Sequence, residues 1–168
     1  YNGPFTLEAQ TVNGGNSDDQ GVQLLSSDDQ HFSNDNGDNN QWMQFDTIRL
    51  ANLYEIGDEV SIAISADFNN SGGQTNDEFT YIVSAADIQA GSQGDTSIPA
   101  DERVRSAIAS KLASDIDNYF QGKNGELIAN ANGQAIEITA GTYQGPYALS
   151  ASANNGSGSD DSRRLEVS

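Results

Sequence analysis

Residues 99–121 read Pro-Ala-Asp-Glu-Arg-Val-Arg-Ser-Ala-Ile-Ala-Ser-Lys-Leu-Ala-Ser-Asp-Ile-Asp-Asn-Tyr-Phe-Gln, and this stretch decides the fold class. Val104, Ile108, Leu112, Ile116 and Phe120 recur every four residues, with Ala107 and Tyr119 beside them. That spacing predicts one apolar stripe along a helix. Pro99 suits the first turn, Asp101 and Glu102 favour the positive N-terminal end, and Gly122-Lys123 supplies a stop. A stripe of this width wants a sheet to lie on.

Strands surround the helix on both sides. Downstream, residues 126–130 and 134–140 form a hairpin through Ala131-Asn132-Gly133, with Ile136 and Ile138 alternating in the second strand. Residues 143–151 form a last strand. Upstream, 45–53 and 59–65 (Val60, Ile62, Ile64) are strands joined by a turn at Ile56-Gly57-Asp58, and 78–85 places Phe79, Tyr81 and Val83 on one face. Residues 1–12 alternate weakly through Phe5, Leu7 and Ala9, with Pro4 near the beginning where it is tolerated. Residues 13–21 read as a loop and 22–25 as a short strand. Residues 26–41 are almost wholly polar and read as a long loop; 68–76 is a Gly/Asn loop, and 87–99 a connector. The order predicts an α+β fold, antiparallel sheet packed by one amphipathic helix at about 99–121. A β-sandwich with a peripheral helix is the alternative.

The chain also repeats itself. Tyr1-Asn-Gly3-Pro4-Phe5-Thr-Leu7-Glu-Ala9 returns as Tyr143-Gln-Gly145-Pro146-Tyr147-Ala-Leu149-Ser-Ala151. The match runs without a gap to Ser17-Asp18-Asp19 against Ser159-Asp160-Asp161, with ten of nineteen positions identical at an offset of 142. Unrelated segments would share roughly one or two. Self-similarity at a fixed spacing marks a repeat architecture, here with a period the size of a domain. The expected organisation is one full repeat plus the edge of its neighbour: a strand segment at 1–26 duplicated at 143–168, an acidic polar loop or linker at 27–41, and a main repeat module at 42–168. A duplicated hairpin inside one domain is the other reading.

Composition bounds the setting. The 168 residues hold 25 Asp and Glu against 7 Lys and Arg, a formal charge of −18, with only two lysines and no Cys. Such a charge repels phosphate backbones and anionic membrane surfaces, and opposes folding unless cations offset it. No apolar run approaches the ~20 residues of a spanning helix, so membrane insertion is not expected. With no initiator Met and no signal peptide, the sequence is read as a mature or excised fragment. Disulfides and Cys-based zinc sites are excluded.

Four stretches carry a family pattern: Ile56-Gly57-Asp58-Glu59-Val60-Ser-Ile62, Phe79-Thr-Tyr81-Ile-Val83, the helix Val104-Arg-Ser-Ala107-Ile108-Ala-Ser-Lys-Leu112-Ala113, and Gln134-Ala-Ile136-Glu-Ile138-Thr-Ala140. Residues 46–151 resemble a repeat module of large bacterial extracellular adhesin-like and calcium-dependent surface proteins. The resemblance implies an extracellular building block and fixes no catalytic residue. The acidic insert at 26–41 and the loop at 69–76 depart from it and leave ligand assignments open.

The search for chemistry turns up little. A single histidine, His31, rules out a multi-His metal site or a His-based triad within this chain. No Gly-x-Ser-x-Gly elbow, Walker loop or Gly-x-Gly-x-x-Gly follows a strand, and the carboxylates are too numerous for any pairing to inform. The expectation is not an enzyme. Calcium is the sharper idea, because it takes six to eight oxygen ligands from carboxylates, amides and carbonyls. The candidate ligands are Asp18, Asp19, Asp28, Asp29, Asp35, Asp38, Asp160 and Asp161, and the last two travel with the duplicated segment. The competing account is that Asp and Asn simply make turns and solvated loops. Trp42, Phe45 and Tyr54 would serve a sugar platform, although packing explains them as well. A Lys–Asn isopeptide crosslink is disfavoured by Lys111 in mid-helix and Lys123 in a turn.

The sequence therefore reads as a structural or adhesive tandem-repeat module of a large extracellular protein at the bacterial cell surface, stiffened by calcium. Its expected partners are neighbouring repeats or identical subunits through edge strands, and surface glycans. A self-assembling filament or surface-layer subunit is the alternative, and a carbohydrate-binding module the second.

Overall fold

A computed structural model describes residues 8–12, 20–33, 40–67, 75–93, 96–141 and 147–154, and ahead of Phe45 the backbone alone. The elements run β1 (Glu8–Val12), β2 (Gln20–Ser33), β3 (Asn40–Asn52), β4 (Glu59–Ala66), β5 (Thr75–Ile82), α1 (Ala85–Gln93), α2 (Ala100–Gln121), β6 (Leu127–Asn132), β7 (Ala135–Ala140) and β8 (Tyr147–Asn154). They build two four-stranded sheets, ordered β1-β8-β4-β5 and β2-β3-β7-β6. Every pairing is antiparallel except β1 with β8.

The predicted stripe is the core face of α2: Val104, Ile108, Leu112, Ile116 and Phe120 are all buried. Ala109 and Ala113 join them, whereas Ala107 is half-buried and Tyr119 lies on the exposed rim. One continuous core combines this stripe with both sheets. The first sheet contributes Val60, Ile62, Ile64 and Ala66 from β4 and Tyr147, Leu149, Ala151 and Ala153 from β8. Ile48 and Leu50 of β3, Ile136 and Ile138 of β7 and Leu127 of β6 come from the second. Each alternates with less buried neighbours, as a strand with one covered face requires. The fold is α+β, with the sheets packed against the helix.

Three expectations need correction. The segment 26–41 is not one long loop: β2 runs through Ser33 and β3 begins at Asn40, paired from Ser33↔Asn40 back to Gln20↔Asn52. The polar half of β2 is carried by this ladder rather than by an apolar pattern of its own. A register shift between Leu24 and Ser26 further breaks the period of two. The connector 87–99 contains α1, a helix without an apolar stripe. The hairpin turn sits one residue later than the Asn-Gly pair implies, because Asn132 pairs with Ala135 and leaves Gly133-Gln134 as the loop. Gly133 has φ +58°, which suits glycine at the first central position of a two-residue turn.

Helices α1 and α2 meet at Gly91. A Cβ there would overlap Val104 Cγ2 and lie 2.8 Å from Ala100 O. Arg103 of α2 donates through Nε to Gly91 O at 2.7 Å, so the same contact satisfies a carbonyl at the end of α1. Gly91→Ala is expected to lower stability by about 1–3 kcal/mol through overpacking. In thermal denaturation, Val104→Ala should show a smaller cost in the Gly91→Ala background than in the wild type; equal costs would refute the contact.

Candidate interaction edge

Parts of the two duplicated segments lie side by side. β1 pairs with β8 in parallel, Glu8↔Ser150, Ala9↔Ala151, Gln10↔Ser152, Thr11↔Ala153 and Val12↔Asn154. Each partner is 142 residues from its mate, which is the offset of the sequence repeat. In a parallel, in-register ladder equivalent positions share a face of the sheet. Ala9 and Ala151, the identical pair within this ladder, therefore stand next to each other.

β8 is fixed from its other side by β4, with eight paired positions from Glu59↔Asn154 to Ala66↔Tyr147. Its anchor is Tyr147, whose ring is buried and whose hydroxyl donates to Ile138 O at 2.9 Å. The hydroxyl also hydrogen-bonds the carboxyl of Asp46, a wholly buried residue of β3. Burial first, and the negative charge of Asp46 second, raise the Tyr147 pKa and keep the phenol protonated. Tyr147 thus ties the first sheet to the second through β7 and β3. Position 5, its equivalent in the repeat, is Phe and carries no hydroxyl.

The far edge of the same sheet is β5, and both lysines of the chain fasten α2 near it. Lys111 Nζ lies 2.6 Å from Asp87 Oδ1 and 2.7 Å from the Tyr81 hydroxyl. Asp87 Oδ2 accepts from the Tyr81 hydroxyl (2.7 Å), Ser84 N (2.8 Å) and Ser84 Oγ (2.6 Å). Ser84-Ala-Ala-Asp87 is a capping box for α1, in which the Asp at the third helical position reaches back to the cap N–H. Burial alone would raise the Asp87 pKa; the bonds from Lys111, Ser84 and Tyr81 outweigh it and hold the carboxyl at about 2. Its bonds to Asp87 and Tyr81 raise Lys111. Both groups are charged, so Lys111 and Asp87 form an ion pair rather than the neutral pair that amide formation requires. At the other end of α2, Lys123 bonds Asp77 at 3.3 Å and lies 4.3 Å over the Tyr119 ring, which packs edge-on against Phe79.

Of the calcium candidates, Asp28 and Asp29 lie in β2, paired with Phe45 and Gln44. As consecutive strand positions they fall on opposite faces of the sheet. Asp18, Asp19, Asp35, Asp38, Asp160 and Asp161 lie outside the described residues. Among the described residues, no group of three His, Cys, Asp or Glu is arranged to hold a metal ion. His31 pairs with Trp42 between β2 and β3. Tyr54 is buried and Phe45 half-buried, so an aromatic platform of these residues with Trp42 has no exposed Tyr54 face. No described helix is long and apolar enough to cross a membrane.

The Asp87 cluster and the Tyr147–Asp46 bond are absent from the sequence reading. The first had a signal, the Ser-x-x-Asp spacing before an apolar Ile88. The second had none, since Asp46 and Tyr147 are 101 positions apart in the chain. Comparison with protein-family models, with characterised proteins and with solved structures finds no match. The functional reading therefore stands on the chain's own residues.

Asp87 is depressed below the unfolded carboxylate value of 3.8, so its contribution is present above about pH 4 and fades as pH falls towards 2. Asp87→Asn is expected to cost about 2 kcal/mol at pH 7 and progressively less between pH 4 and 2 in urea unfolding. A cost unchanged with pH would disprove the ion pair's role. Tyr147→Phe should cost about 1–3 kcal/mol, because it removes the donor shared by Ile138 O and Asp46.

Proposed function

We propose that the chain is a structural or adhesive tandem-repeat module of a large extracellular bacterial surface protein, stiffened by calcium at its acidic segments. One observation carries this reading: the register of the β1–β8 ladder equals the sequence offset of the repeat. A segment that recurs at a fixed spacing and lies against its own counterpart is a device for joining like units. Chemistry on a substrate would not require such a duplication. The buried Asp87, the best-formed polar cluster on the described chain, supports the same reading, because all its bonds run inward to hold α1, α2 and β5 together. The −18 charge suits an exported protein in cation-rich surroundings. The Asp18-Asp19 pair, which returns as Asp160-Asp161 in the duplicated segment, motivates calcium.

A second reading, a self-assembling filament or surface-layer subunit, is favoured by the same edge: a strand that pairs with its own duplicate can pair with that of another molecule.

Two measurements test the proposal. Deleting residues 1–12 uncovers the outer edge of β8, and should lower the melting midpoint and increase association in light scattering. If neither changes, the duplicated strand is not a joint. Extracellular calcium sites bind at 10⁻⁴ to 10⁻³ M, so about 10 mM calcium should add roughly 1.5–3 kcal/mol relative to EDTA, a rise of several degrees in calorimetry. An identical midpoint in both buffers would remove calcium from the reading.

A further inference from the structure

We propose that the β1–β8 ladder is an exchangeable joint: the outer edge of β8 accepts the β1 segment of a second copy of this chain, in the same parallel register. The inference rests on the repeat reading above and names its partner.

Four observations carry it. First, the edge already holds an occupant of the required kind, since β1 and β8 belong to the two duplicated segments and pair at their 142-residue offset, with Ala9 against Ala151 the identical pair among the five. Second, β1 is only five residues long and ends its sheet, with β8 its one neighbour there. A short terminal ladder belongs to the least stable part of a fold and opens before the rest. Third, β8 stays in place when β1 leaves, because eight paired positions on β4 and the Tyr147 hydroxyl hold it independently. Fourth, the two places in the sheet are chemically distinct. The inner place, beside β4, presents Ile138 O and Asp46 to a phenol, which Tyr147 supplies and Phe5 lacks.

The duplicate is thus confined to the outer place, where backbone bonds give affinity and the shared face gives register. Within the ladder Ala9 matches Ala151. A slip by one residue would turn every matched side chain to the opposite face. Exchange of an identical element between copies is a low-cost route to assembly, closed when reciprocal and open-ended when it runs one way. Both forms place β1 of one molecule on β8 of the next.

The chain has no cysteine, so introduced thiols report the pairing without background. A Gln10→Cys chain is mixed with a Ser152→Cys chain and oxidised at about 0.5 mM, since a molecule's own β1 competes at the millimolar level of a short tether. A covalent heterodimer is expected by mass spectrometry, about tenfold above the yield of Gln10→Cys with Ser150→Cys. That control pair is two residues out of register and beyond disulfide reach. An acceptor that also carries Ala9→Pro and Gln10→Pro loses N–H groups of both strand parities in its own β1, and should capture more donor. The double variant Gln10→Cys with Ser152→Cys in one chain reports the internal ladder. Internal crosslinking without heterodimer overturns the exchange and leaves the repeat reading standing. No internal crosslink removes the ladder, and both fall together.

Discussion

Helix α2 is the member on which both sheets depend, and its hold has two parts. The stripe from Val104 to Phe120 closes the core between the sheets, each fully buried large side chain contributing about 1.5–3 kcal/mol of burial. The second part is electrostatic. Four of the seven basic residues, Arg103, Arg105, Lys111 and Lys123, lie on α2 or just beyond it. Arg105 bonds Asp101, Gln134 and the carbonyl of Asn52; Arg103 closes the end of α1; the two lysines reach Asp87 and Asp77. In a chain of charge −18 this concentrates the cations where they join elements. The rest of the sequence is dominated by carboxylates, which repel one another.

How much of this was legible follows from where the signals are local. The α2 stripe and the Val60-Ile62-Ile64 and Ile136-Ile138 alternations are core faces, and periodicity reports core faces directly. The Gly57-Asp58 turn was legible too, and its chemistry explains the spacing: Gly57 has φ +97°, and Asp58 accepts the Glu55 N–H at 2.7 Å. The polar half of β2 was not legible, because its partner β3 supplies the ladder while Ser-Ser-Asp-Asp-Gln-His supplies no alternation. Nor was α1, nine residues held by one buried acid and by Gly91 rather than by an apolar face.

The candidate site divides in the same way. The duplication is visible by aligning the chain with itself, yet the alignment does not say that the two copies touch. A strand can be duplicated to serve two separate sheets, and parallel neighbours need a long crossover between them. Only the register, Glu8 to Ser150 onward, brings the copies together. The bond that separates their roles is remoter still, since Tyr147 differs from Phe5 by one oxygen whose partners lie in β3 and β7.

That single oxygen distinguishes two segments of similar sequence within one chain. Two segments alike at ten of nineteen positions would compete for the place beside β4, and a mispaired copy would leave a buried carboxyl and a carbonyl without the phenol. Leaving buried acceptors unmet costs more than the bond itself gains, so the preference for Tyr147 at the inner place is stronger than one hydrogen bond suggests. The outer place makes no such demand. The five-residue β1 ladder rests on backbone pairing, while the inner strand is committed to its core through Tyr147.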